Sequence, residues 1–282
     1  MASSSADALA VRYGSSYRWL VTLTAMIGNI ALILSSTIIN VAIPDIMGTF
    51  GIGQDRAQWL LSGFLAMMTL AMLLNAWLVS TIGKRNAYLL AIGVFATGSV
   101  IGAASPTFDT LVAARILQGA GAGLIHPLAL QVIYEVFPPE QRGRAMGFFG
   151  FGIVLAPALG PACGGLLVDL FNWRAVFYMI LPFCAIAVLM AIFFMPGRDQ
   201  ETKRVKFDWT GMLLMLICLF SLLTGLSNGS RDGWNSNVNL TYFGIAIITL
   251  VSFTIWEWYC RSPMLDLKIF AYGPFTASIV IS

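Results

Sequence analysis

The sequence predicts an all-α polytopic membrane protein with eight complete spans and the start of a ninth, on three observations. First, the 282 residues are 58% hydrophobic and only 10% charged, with a mean hydropathy of +0.82; a soluble domain carries roughly 45–50% apolar and about 25% charged residues. Second, the apolar residues form continuous runs of about 20, the length that crosses a hydrocarbon core of ~30 Å. Third, Lys and Arg fall almost entirely on alternate loops between those runs. Such a composition cannot cover a water-facing surface, which excludes soluble enzymes and nucleic-acid modules, and abundant apolar surface excludes disorder. The net charge of +3 is too small to imply polyanion binding. Cys163, Cys184, Cys218 and Cys260 are widely spaced and suggest neither a metal site nor a disulfide framework.

The runs place spans at about 19–43, 58–80, 87–105, 109–133, 145–169, 175–195, 209–228 and 239–259, with a ninth opening near Pro274. Continuous runs without alternation exclude barrel strands. The first is far longer than a signal-peptide core and lacks a cleavage site, so it reads as a retained helix. All eight Trp residues fall near a span end, where aromatic belts sit. Arg12, Arg18, Lys84, Arg85, Arg142, Arg144, Arg198, Lys203, Arg204, Lys206, Arg261 and Lys268 lie on one side, while Arg56, Arg174 and Arg231 lie on the other. The positive-inside rule then makes the N-terminus cytoplasmic. Short connections join the first six spans into a bundle over 1–195. A basic cytoplasmic linker at 196–208, two further spans at 209–259, and a loop with the truncated start of the next helix at 260–282 complete the organisation.

The fourth span, LVAARILQGAGAGLIHP, places Arg115 and Gln118 within the membrane. A buried Arg normally faces a cavity or a partner, at roughly 2.5–3.5 kcal/mol on insertion scales; six residues after Asp109, it can also snorkel to the span end. Gly119 and Gly123 have the spacing that lets helices approach closely. His126 shares the helix face of Arg115, and two readings of it stand: a proton carrier in a cavity, or a hydrogen-bonded His beside Pro127. In the fifth span Ala156, Gly160 and Gly164 recur every fourth position, while Pro157 and Pro161 remove backbone donors and should bend or loosen the helix.

These motifs resemble the major facilitator superfamily, in particular its fourteen-helix drug:proton antiporter branch. Leu111, Arg115, Gln118, Gly119 and Gly121 match the fourth-span pattern. Gly147, Gly160, Pro161, Gly164 and Gly165 match the antiporter motif, with Ala156 where Gly is usual. Thr37, Asn40, Val41, Ala42 and Pro44 match the first-span signature, and the Gly233–Trp234 turn and the LDLKIF segment are also similar. Ser35 stands where the family has a membrane-embedded Asp. In the loop between spans two and three Gly83, Lys84 and Arg85 match in type, but Ala76, Ser80 and Thr81 replace Gly, Asp and Arg. No acid lies near the middle of a span; Asp109, Glu135 and Glu257 are at or near ends.

The resemblance implies a six-helix bundle with two linker helices, working with a C-terminal bundle that lies outside these 282 residues. It implies proton-coupled efflux of amphipathic compounds by alternating access from a bacterial inner membrane. Asn40, Arg115, Gln118 and His126 would lie on the substrate and proton pathway. Gly147, Ala156, Gly160, Pro161, Gly164 and Gly165 would form a hinge surface, and Gly83, Lys84 and Arg85 a cytoplasmic gate. The expected partners are the bilayer and a small amphipathic substrate. A periplasmic adaptor is permitted, and no nucleic acid, cofactor or metal is expected. An intramembrane enzyme would need His, Asp, Glu, Ser or Cys clustered at one depth, and no such set exists. Two other readings stay open: a truncated membrane protein that binds a full-length partner, and a transporter of another small solute.

Overall fold

Without water to satisfy backbone N–H and C=O groups, apolar runs of this length must close their hydrogen bonds internally, as helices do. The structure, a computed structural model, describes residues 5–198, 206–260 and 262–271. In chain order its α-helices are α1 (Ser5–Tyr13), α2 (Tyr17–Phe50), α3 (Gln54–Ala57), α4 (Trp59–Ile82), α5 (Lys84–Ala103), α6 (Phe108–Val136), α7 (Pro139–Leu170), α8 (Ala175–Tyr178), α9 (Ile180–Phe194), α10 (Trp209–Asp232) and α11 (Asn237–Tyr259). Among the described residues eight stretches are long and apolar enough to cross a membrane. They are α2 extended by part of α1, α3 with α4, α5, α6, α7, α8 with α9, α10 and α11.

Local chemistry sets the ends. Thr107 caps α6 by accepting the Thr110 N–H, Asp208 caps α10 through the Gly211 N–H, and Ser236 caps α11 through the Asn239 N–H. Gly51, at φ +61°, ends α2 in the left-handed conformation that glycine adopts without penalty. The first span therefore runs past the expected 43, because Pro44 is carried inside the helix and Asp45 and Thr49 extend it beyond the apolar run. The fifth starts at Pro139 rather than 145, with a proline at the N-terminal position that needs no donor. Pro157 and Pro161 do not break α7, which is one helix of 32 residues. Both prolines lie on its exposed side. The expected ninth span from Pro274, Arg261, and 199–205 of the linker lie outside the described residues.

The chain divides into two compact units, Met1–Lys203 and Arg204–Ser282. In the first, α6 packs against α4, α5 and α2, while α2 also packs against α7 and α9. Phe64, Phe95, Leu111, Ile125 and Phe177 are buried in its core. Phe151, Val154, Leu189 and other large apolar side chains face outward, an ordinary surface in lipid and a liability in water. Glycines set the closest approaches. A Cβ on Gly119 or Gly123 would collide with the Phe64 or Met68 carbonyl oxygen of α4. On α7, a Cβ on Gly152, Gly160 or Gly164 would meet the side chains of Met26, Thr37 or Ile38 on α2. The second unit is a hairpin of α10 and α11, turned at Gly233 (φ +87°), where the Asn239 side chain donates to the Gly233 carbonyl at 2.8 Å.

Candidate functional site

Arg115 is fully buried, which rules out the snorkelling reading. Its Nε donates to the Leu60 carbonyl at 3.1 Å, and its Nη1 donates to Ser35 Oγ at 3.0 Å and to Gln118 Oε1 at 2.7 Å. The guanidinium lies 4.3 Å from the centre of the Phe64 ring, an arrangement favourable to a cation. Gln118 passes the chain on, its Nε2 donating to Ser99 Oγ at 2.8 Å. One network thus joins α2, α4, α5 and α6, with Arg115 and Gln118 one turn apart on α6. Arg115 Nη2 is buried without a partner. Ser35, at the position where the resemblance leads to an expected Asp, presents a neutral hydroxyl to the guanidinium. A planar fork of donors suits this task better than an ammonium would.

His126 lies eleven residues further along α6, about 16 Å by helical rise, and does not join this network. It is half-buried, with its Nδ1 2.7 Å from Asn29 Oδ1 on α2. Asn29 Nδ2 donates to the Ala25 carbonyl at 2.9 Å, which leaves Oδ1 as an acceptor, so His126 Nδ1 carries the hydrogen. The hydrogen-bonded reading of His126 therefore describes its setting, with an amide rather than a carboxylate as partner. Asn40 is exposed on α2 and reaches only the Ser36 carbonyl of its own helix, at 3.5 Å.

The three residues expected at a gate fall together at one end of the unit. Gly83 (φ +82°) is the single residue between α4 and α5, and a Cβ on it would lie 2.6 Å from Arg198 Cβ. Lys84 Nζ pairs with Glu135 Oε2 near the end of α6. Arg85 Nε donates to the Met195 carbonyl at 2.8 Å and its backbone N–H to the Pro196 carbonyl at 3.1 Å. Of the residues expected at the hinge, Gly160 and Gly164 are buried against α2 and Ala156 is buried in the core, whereas Gly147 and Pro161 are exposed and Gly165 meets nothing within 4 Å of its Cβ position.

The family model for the Major Facilitator Superfamily matches residues 25–282. The chain belongs to that superfamily. It is 35% identical over 257 residues to the uncharacterized MFS-type transporter YhcA of Bacillus subtilis (strain 168), covering 91% of this chain and 48% of that protein. It is 31% identical over 263 residues to the probable multidrug resistance protein EmrY of Escherichia coli (strain K12), covering 93% of this chain and 51% of that protein. The chain thus spans about half the length of the curated relatives it matches. Two solved structures share its fold. The D-xylose-proton symporter (TM-score 0.56, 16% identity) is matched over 85% of this chain and 67% of its own, and the POT family transporter PepTSo (0.59, 17%) over 83% and 51%. The chain is a multi-pass membrane protein of a transporter family.

The motifs of the sequence missed Leu60, Phe64 and Ser99, which complete the Arg115 network from neighbouring helices, and Asn29, which holds His126. Asn29 and Ser99 carry a weak signal as polar side chains inside apolar runs; the Leu60 carbonyl carries none.

Proposed function

We propose that the chain is part of a proton-coupled exporter of amphipathic compounds, embedded in the plasma membrane with its N-terminus cytoplasmic and working by alternating access against a second helical bundle. The observation that carries this reading is the buried Arg115, held across four helices with one donor left over and no carboxylate hydrogen-bonded to it among the described residues. Holding a cation there is costly, which supports a role beyond cross-linking the helices. Asn40, Gln118 and His126 would line the path of substrate and proton. The α7 residues Ala156, Gly160 and Gly164 would allow the bundle to adjust, and Gly83, Lys84 and Arg85 would latch the cytoplasmic end. The name of EmrY points to drugs as substrates.

Alternating access needs two bundles around one site. In proteoliposomes carrying an imposed pH gradient, the chain alone is expected to give no efflux of a cationic dye. Together with the C-terminal half of a full-length relative it should give efflux, and Arg115→Met should abolish it. Proton-driven efflux by the chain alone, shown to be monomeric, would overturn the two-bundle reading; Arg115→Met with undiminished efflux would overturn the role of Arg115.

A further inference from the structure

The second unit holds two acids that the Arg115 site does not use. Asp208 caps α10, with Oδ1 accepting the Gly211 N–H at 3.0 Å, and the indole N–H of Trp256 donates to its Oδ1 and Oδ2 at 3.0 and 2.9 Å. Glu257, in the last turn of α11, accepts the Leu265 N–H on Oε2 at 3.2 Å. Its Oε1 is buried and has no hydrogen-bond partner among the described residues. The two residues are 8% and 1% exposed. A Cβ built on Gly211 would lie 2.6 Å from Asp208 Oδ2 and 2.7 Å from Glu257 Oε1, so both oxygens converge on the open side of that glycine.

Other titratable groups nearby in sequence do not resolve this encounter. Lys206, Asp266 and Lys268 on the adjoining segments, and Cys218, Tyr242, Tyr259 and Cys260 on or beside the two helices, hydrogen-bond to neither carboxylate. Arg261 lies outside the described residues. Ionised carboxylate oxygens only accept, and two of them facing each other out of water repel. Among the described residues no salt bridge relieves that repulsion, and a positive charge between the two oxygens would. A metal cation of the calcium or magnesium type takes about six oxygens or more, and few are offered here. A proton needs only two.

We propose that Asp208 and Glu257 bind one proton between them. Glu257 Oε1 carries it, and Asp208, whose oxygens already accept the Gly211 and Trp256 N–H groups at the positive end of α10, accepts the hydrogen bond. The second unit thereby contains a proton-binding site built from its own residues, which does not depend on the transport reading. The bound proton ties the start of α10 to the end of α11 and to the segment at Leu265. Its loss as pH rises puts two negative charges there and loosens the tie.

The test is infrared difference spectroscopy of the full chain in lipid across a pH titration, alongside thermal unfolding at each pH. A protonated-carboxyl C=O band is expected at neutral pH, fading as pH rises and missing in Glu257→Gln. That variant can donate the same hydrogen bond, so it stays folded and loses the alkaline fall in melting temperature shown by the wild type. A band unchanged in Glu257→Gln, or no such band while the chain is folded, would overturn the proposal. Stabilisation by added sodium, potassium, magnesium or calcium chloride that vanishes in Glu257→Gln, without a carboxyl band, would assign the pair to a metal cation and overturn it equally.

Discussion

The α4–α6 seam and the α2–α7 seam are both built from small residues four apart, but they close on different atoms. Gly119 and Gly123 on α6 press against the Phe64 and Met68 carbonyl oxygens, which belong to the backbone of α4 and cannot turn aside. On α7, Gly152, Gly160 and Gly164 face the side chains of Met26, Thr37 and Ile38 on α2, and side chains can change rotamer. Lipid gives helices no hydrophobic reason to associate, so close packing and polar links must hold both seams. The first adds such a link, because Arg115 binds the Leu60 carbonyl and stacks on Phe64 one turn from Gly119. One seam is fixed and cross-linked; the other is smooth and adjustable. That division of labour fits the rocking bundle proposed above.

The largest expected effect is therefore at the fixed seam. Gly123→Ala drives a methyl group into a carbonyl oxygen and forces α6 off α4, at a cost of about 3 kcal/mol. Thermal unfolding in detergent should show a large fall in melting temperature, and Gly119→Ala with Gly123→Ala should leave little folded protein. A melting temperature close to wild type would erase the distinction between the seams.

Next come substitutions in the cross-link. Arg115→Lys keeps a charge but cannot reproduce the fork to Leu60, Ser35 and Gln118, so about 2 kcal/mol is lost. Arg115→Met removes the buried charge as well as its bonds, and the two changes oppose each other. It should cost about 1 kcal/mol, less than Arg115→Lys. Melting temperatures of the two variants check the order; the reverse order would mean that the charge itself stabilises the seam.

At the adjustable seam the cost falls again. Gly164→Ala brings a methyl group 3.2 Å from Ile38 Cγ2, and a small shift of Ile38 accommodates it at about 1 kcal/mol or less. The same melting measurement, made beside Gly123→Ala, tests the contrast directly.

The helices were legible because a span is a matter of length and oiliness, and 20-residue apolar runs carry that signal without help from the rest of the chain. The neighbours Arg115 and Gln118 were legible for the same local reason. Everything that depended on which face meets which helix was not. The spacing of Gly119 and Gly123 looks the same as that of Gly160 and Gly164, yet only the structure separates backbone contact from side-chain contact. Phe64 reaches Arg115, and Ser99 reaches Gln118, across distances that no local pattern encodes. Glu257 reads as an interfacial acid at a span end because a linear ruler cannot see the chain return to cover it with the Leu265 N–H.

The smallest expected effect has the opposite sign. Gly165 and Gly147 belong to the same α7 motif as Gly160, but a Cβ on either would meet nothing within 4 Å. Both have negative φ within the helix, so neither needs the conformational freedom of glycine. Exchanging such a glycine for alanine removes disorder from the unfolded chain and favours the helix by about 0.5–1 kcal/mol. Gly165→Ala should therefore raise the melting temperature slightly, while Gly164→Ala, one residue away on the face toward α2, lowers it. Opposite signs at adjacent positions would show that the seam is a narrow stripe set by the α2 side chains. If Gly165→Ala is destabilising by as much as Gly164→Ala, α7 needs its flexibility along its whole length, and the motif acts through the backbone rather than through one smooth face.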